Sequence, residues 1–129
     1  MRLKGFILLS ALILAACDGA PGNRDSNPFH LPPIGYVADK TRGAELFRQN
    51  CSSCHGRAGS GSNTGPPLVH ETYNPSHHAD LAFHLAVKNG VRRHHWRFGD
   101  MPPQPQVSPE AVADIVAYVR ELQRRAGID

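Results

Sequence analysis

The placing of glycine and proline decides what this chain can become. The two residues take 23 of 129 positions (12 Gly, 11 Pro) and gather in the stretches 19–35, 56–67 and 99–105. Proline breaks helices and sheet ladders, and such clusters read as loops. Regular structure is therefore confined to what lies between them. Lys40 to Asn50 reads as a first helix, with Ala44, Leu46 and Phe47 as its apolar contacts. His77 to Asn89 reads as a second, with Leu81, Leu85 and Val87 inward and Asn89-Gly90 as its stop. The last is the clearest: Ser108 is an N-cap, Pro109 a first-turn proline and Glu110 an early acid. Its apolar positions Val112, Ile115, Val116, Val119 and Leu122 keep the i, i+3, i+4, i+7 spacing, and Arg120, Arg124 and Arg125 suit the negative end of its dipole. No alternating strand pattern and no repeat interrupts this reading. The expected class is all-α, with about three main helices.

The core available to those helices is thin. Hydrophobic residues are 40% of the chain and aromatics only 7%. A chain of 129 residues makes one domain, and its 3 cysteines cannot close a disulfide framework without leaving one over. A multi-domain enzyme, a disulfide-stapled miniprotein and a multi-span membrane protein are excluded. Something other than side chains must fill the centre.

The N-terminus reads as an export signal over residues 1–16. Arg2 and Lys4 precede an apolar run from Phe6 to Ala16, which is too short for the roughly 20 residues that span a bilayer. The run ends Leu14-Ala15-Ala16-Cys17, which resembles the lipobox of bacterial lipoprotein signals, and so implies acylation of Cys17 as the first mature residue. In Gram-negative lipoproteins an aspartate such as Asp18 resembles an inner-membrane retention signal. Residues 17–39, rich in Gly and Pro, are then expected to be a semi-rigid tether, and residues 40–129 the folded domain. Loss of the signal lowers the formal charge from +3 to +1, which removes support for nucleic-acid binding.

The chemistry is carried by Cys51-Ser52-Ser53-Cys54-His55, placed on the last turn of the first helix. Two thiols three residues apart followed by histidine form the pattern of c-type haem attachment. Each thiol adds across one vinyl group as a thioether, and His55 ligates the iron from one face. A thioredoxin-type C-x-x-C follows a strand and opens a helix, whereas this one closes a helix. A zinc site needs two more ligands, and His70, His77 and His78 keep no clean spacing. A local disulfide remains an alternative in an oxidising compartment.

Met101 is the one methionine after the initiator, 46 residues beyond His55 in a Gly99-Asp100-Met101-Pro102-Pro103 loop. A rigid proline loop suits the presentation of sulfur to a metal better than the filling of a core. With these residues, the Gly65-Pro66-Pro67-Leu68 stretch and the terminal helix with Tyr118, residues 40–129 resemble a class I monohaem cytochrome c. The resemblance implies helices wrapped around one covalent haem c, with His55 and Met101 as axial ligands. It implies that the Pro66 carbonyl takes the Nδ1 proton of His55, fixing its tautomer. It also implies that Gly43 and Phe47 mark where the first helix crosses the last, near Ile115 and Tyr118. A His/Met pair raises the reduction potential and leaves no open coordination position, so an electron carrier is expected and not an enzyme.

Seven histidines lie outside the motif. Five cluster, His77, His78 and His84 in one group and His94 and His95 in another, and read as polar, partly protonated surface in preference to a second copper or zinc site. A histidine replacing Met101 on the iron is the less favoured arrangement. Trp96 and Arg97 are candidates for the haem propionates, and Arg92 and Arg93 for docking an acidic redox partner. The expected protein is a lipid-anchored, monomeric electron carrier on the outer face of the cell membrane or in the periplasm. It passes electrons between a membrane respiratory donor, such as a quinol-oxidising complex, and a terminal reductase or oxidase. The alternatives are a haem c subunit of a dedicated dehydrogenase or oxidase complex and a His-rich metal-binding lipoprotein.

Overall fold

A computed structural model describes residues 26–129. The expected signal over 1–16, Cys17 and Asp18 lie outside the described residues. Among the described residues there are four α-helices, α1 (Lys40–Asn50), α2 (Ser52–His55), α3 (Asp80–Asn89) and α4 (Pro109–Arg125), with short 3-10 turns at Arg57–Gly59 and Glu71–Tyr73. Extended pairing among them is limited to an isolated antiparallel bridge between Val91 and Met101. No described helix is long and apolar enough to cross a membrane.

The α1–α4 crossing is the organising contact. A side-chain carbon added at Gly43 would stand 2.0 Å from the Asp114 carbonyl oxygen, so only glycine lets the two backbones approach this closely. One turn on, Phe47 is 1% exposed and packs its ring 5.7 Å from that of Tyr118. Val112, Ile115, Val116 and Val119 complete this core with Leu68 and Val107. Ser108 caps α4 by accepting from the Ala111 N–H, and Pro109 occupies the first turn. Asp39 caps α1 by accepting from the Thr41 and Arg42 N–H groups.

Three buried polar residues fasten other segments to α4. Asp114, 1% exposed, accepts from the Asp39 N–H at 2.7 Å, the Tyr36 hydroxyl at 3.0 Å and the Arg42 guanidinium at 3.0 Å. Burial alone would raise its carboxyl, yet Arg42, the Asp39 N–H and Tyr36 together hold it below the usual carboxylate value. Arg120 donates to Asp80, to the Tyr73 and His78 carbonyls and to Gln123, and lies over the Phe83 ring. Gln123 in turn donates to the Leu68 and Tyr73 carbonyls.

Several expectations are corrected. The second helix begins at Asp80, not His77, because Asn74 claims the preceding residues: its carbonyl accepts from the His77 and His78 N–H groups and its side chain from His77. Leu81 is not inward but 40% exposed, since α3 turns His84 and Arg120-facing Phe83 toward the protein instead. His84 is buried rather than part of a polar surface, its Nδ1 donating to the His30 carbonyl at 2.6 Å. Within the stretch expected as a semi-rigid tether, residues 27–39 make hydrogen bonds to the helical part of the chain. Lys88 Nζ donates to the Asn27 carbonyl, His30 Nε2 to the Val107 carbonyl, and Tyr36 and Asp39 to Asp114.

Candidate functional site

Cys51 does not lie within the last turn of α1, as the sequence suggested. The helix ends at Asn50, Cys51 kinks to φ −119°, and Ser52–His55 forms its own turn, closed by the His55 N–H on the Cys51 carbonyl at 2.9 Å. No disulfide joins Cys51 and Cys54. Burial, then the neighbouring Cys54 sulfur, pushes the Cys51 thiol up to about 11.

His55 follows at the end of the turn. Its Nδ1 lies 2.9 Å from the Pro66 carbonyl oxygen. A carbonyl only accepts, so the proton sits on Nδ1 and the lone pair on Nε2 is free for a metal. Burial lowers the affinity of this imidazole for a second proton, and the Pro66 bond offsets that in part. The neutral ligating form is therefore the form present near neutral pH.

Met101 arrives from the other side of the chain, and its backbone is clamped. The Val91 N–H donates to the Met101 carbonyl and the Met101 N–H to the Val91 carbonyl, each at 2.9 Å. Gly90 makes this approach feasible: it holds φ +73°, and a side-chain carbon there would meet the Met101 carbonyl oxygen at 2.5 Å. The Gln104 N–H closes the loop onto the Val87 carbonyl at 2.7 Å, and Asp100 accepts from the Arg93 N–H.

Cys51, His55 and Met101 all line one cleft of about 430 Å³, walled by apolar side chains such as Phe83, Val87 and Ile115. That volume is within the range of small-molecule sites. The cleft contains one unpaired donor: the Trp96 indole N–H is buried with no hydrogen-bond partner. Burial raises the neighbouring Tyr73 phenol and the Trp96 N–H draws it back, but the pair does not reach hydrogen-bond geometry. A buried unpaired N–H costs about 1–3 kcal/mol, so an acceptor supplied by a ligand carboxylate fits this place.

The remaining expected residues divide. Trp96 lines the cleft, but Arg97 does not and is exposed. Arg92 and Arg93, expected at a docking face, are both exposed, and Arg93 also lines the cleft. His78, His94 and His95 also line the cleft, which sequence reasoning placed on general surface. The signal available for them was their position on either side of α3, whose C-terminal end carries the Met loop.

A flat apolar group fits such a cleft, which Cys51 lines beside His55, while Cys54, one turn on, is exposed and is not among its lining residues. The cytochrome c family profile matches residues 41–123, and the chain belongs to the cytochrome c family. It is also similar to the "Cytochrome c-553-like" protein of Synechocystis sp., with 29% identity over 119 residues covering 89% of this chain and 97% of that protein. The protein therefore carries covalent haem c, with Cys51 and Cys54 at the C-x-x-C-H spacing, and is an electron carrier and not an enzyme.

Proposed function

We propose that this cytochrome c is a membrane-tethered carrier of single electrons, with His55 and Met101 as axial ligands and Cys51 and Cys54 as the haem attachment points. The observation that carries the reading is that His55 and Met101, from segments far apart in sequence, reach the same apolar cleft with their backbones or rings already fixed by hydrogen bonds. When bound, haem c supplies a one-electron couple of iron. The chain's part is to hold that couple at a raised potential. Thioether sulfur is a soft ligand favouring ferrous iron, and the apolar walls disfavour the extra charge of the ferric state. Pro66 orients His55, and Val91 and Gly90 orient Met101, so little rearrangement accompanies electron transfer. Trp96 and Arg93 would meet the propionates.

Arg92 and Arg97, exposed beside the Met loop, give the cleft a basic rim suited to an acidic redox partner in a transient encounter. A charged rim favours a diffusing or tethered carrier over a permanently docked subunit of a dehydrogenase or oxidase complex. Acylation of Cys17 would hold the monomer at the outer face of the cell membrane, where respiratory donors and acceptors lie. Fractionation tests this reading. The wild-type protein should sediment with membranes and Cys17→Ser should be released, each retaining haem that titrates as one electron; equal partition of the two proteins would reject the lipid tether.

A further inference from the structure

Beside the haem cleft, the histidines separated in sequence by α3 converge. One ring nitrogen from each of His77, His78 and His95 lies within 4.8 Å of the others. His77 Nε2 and His95 Nε2 stand 3.4 Å apart. With metal–nitrogen bonds of about 2.0–2.1 Å, two nitrogens on one tetrahedral ion stand roughly 3.3–3.4 Å apart.

The tautomer of His78 is suitable as well. His78 Nδ1 lies 2.7 Å from the Thr72 carbonyl oxygen, so it donates there and its Nε2 carries the lone pair. This backbone-carbonyl orientation is the arrangement that positions metal-bound histidines. His94, its ring tilted against that of His95 at a centroid distance of 4.3 Å, is fixed in the same way by the Arg92 carbonyl at 2.9 Å. Burial first, then His77, His94 and Arg120, lowers the His78 imidazole despite the Thr72 bond. Partial desolvation and its histidine neighbours do the same to His95.

We propose that His77, His78 and His95 form a second metal site, distinct from the haem iron, that takes one borderline divalent cation of the Cu²⁺ or Zn²⁺ class. Three neutral imidazoles suit these ions, and a solvent molecule completes the coordination because His77 and His95 are exposed. The affinity order expected for such a nitrogen set is Cu²⁺ above Zn²⁺. Since His78 and His95 also line the haem cleft, the ion would sit at its rim.

The test uses the full haem-loaded protein, titrated separately with Cu²⁺ and Zn²⁺. One equivalent of each should bind, with Zn²⁺ competing for the Cu²⁺ position. The Cu²⁺ complex should show nitrogen hyperfine structure in its electron paramagnetic resonance spectrum. His95→Ala and, independently, the exposed His77→Ala should each weaken binding more than about tenfold. His70→Gln, outside the trio, should leave it unchanged. Unaltered haem absorption in the variants shows that the cleft is intact. Sub-stoichiometric binding, or affinity unchanged in both His77→Ala and His95→Ala, would overturn the site and assign these imidazoles to the haem rim alone.

Discussion

The two halves of this domain solve the same packing problem differently. Where α1 crosses α4, the chain fills its own interior: Gly43 brings the backbones together, Phe47 and Val119 are fully enclosed, and Asp114, Arg120 and Gln123 find partners for their polar atoms. On the side facing α3 and the Met loop, apolar residues surround a cleft of about 430 Å³ and a buried indole N–H has no protein partner. One half is complete in itself and the other is shaped for haem. The contrast explains how a chain with 7% aromatic residues sustains a folded domain: the cofactor replaces core side chains on one face only.

The largest effect should come from removing the attachment points. In the Cys51→Ala, Cys54→Ala double variant, covalent haem should be lost altogether. Hydrogen exchange should then show α3 and residues 91–101 losing protection well before α1 and α4. Equal loss across all four helices would mean that the crossing is not independently stable. Next, Gly43→Ala forces a carbon onto the Asp114 carbonyl and should cost about 3 kcal/mol or more in chemical denaturation. A cost below about 1 kcal/mol would show that the helices can separate easily. Asp114→Asn keeps the shape but weakens the hold on Arg42, Tyr36 and Asp39, and should destabilise by about 2 kcal/mol while leaving the haem spectrum unchanged.

The smallest effect concerns pH. Burial lowers the His84 imidazole more than its bond to the His30 carbonyl and the charge of Asp80 raise it, and His30 opposes protonation too. A base with a depressed folded value is protonated more readily when unfolded. Its contribution is constant above the ordinary histidine value of about 6.5 and is lost as pH falls below it. His78 and His95 act in the same direction. Stability should decline from about pH 6.5 downward, and His84→Gln should flatten that decline in denaturation curves measured across pH. An unchanged slope would remove His84 from the account.

Much of this was legible in the sequence for physical reasons. The span of α1, the capping of α4 and its apolar stripe follow from local chemistry that tertiary contacts did not override. The C-x-x-C-H spacing carried the cofactor because attachment demands adjacent residues. The contacts that depend on distant partners were not legible. Asp114 and Gln123 sit on the buried face of α4 at positions where periodicity expects apolar residues or surface, and only the strap at 27–39 and the Leu68 and Tyr73 carbonyls explain them. The kink at Cys51 and the late start of α3 also escaped, since Asn74 and the Cys51 dihedral compete with helix in ways that propensity does not register. The meeting of His77 and His78 with His95 required the fold of α3 itself.

Met101, clamped to Val91, and His55, its tautomer fixed by Pro66, are the residues proposed to hold the haem iron. Near-infrared absorption of the oxidised protein tests this proposal most directly. The sulfur-to-iron charge-transfer band should be present in the wild type and absent in Met101→Ala, with haem retained through both thioethers. A wild-type spectrum without that band would contradict the account and assign the sixth position to another ligand.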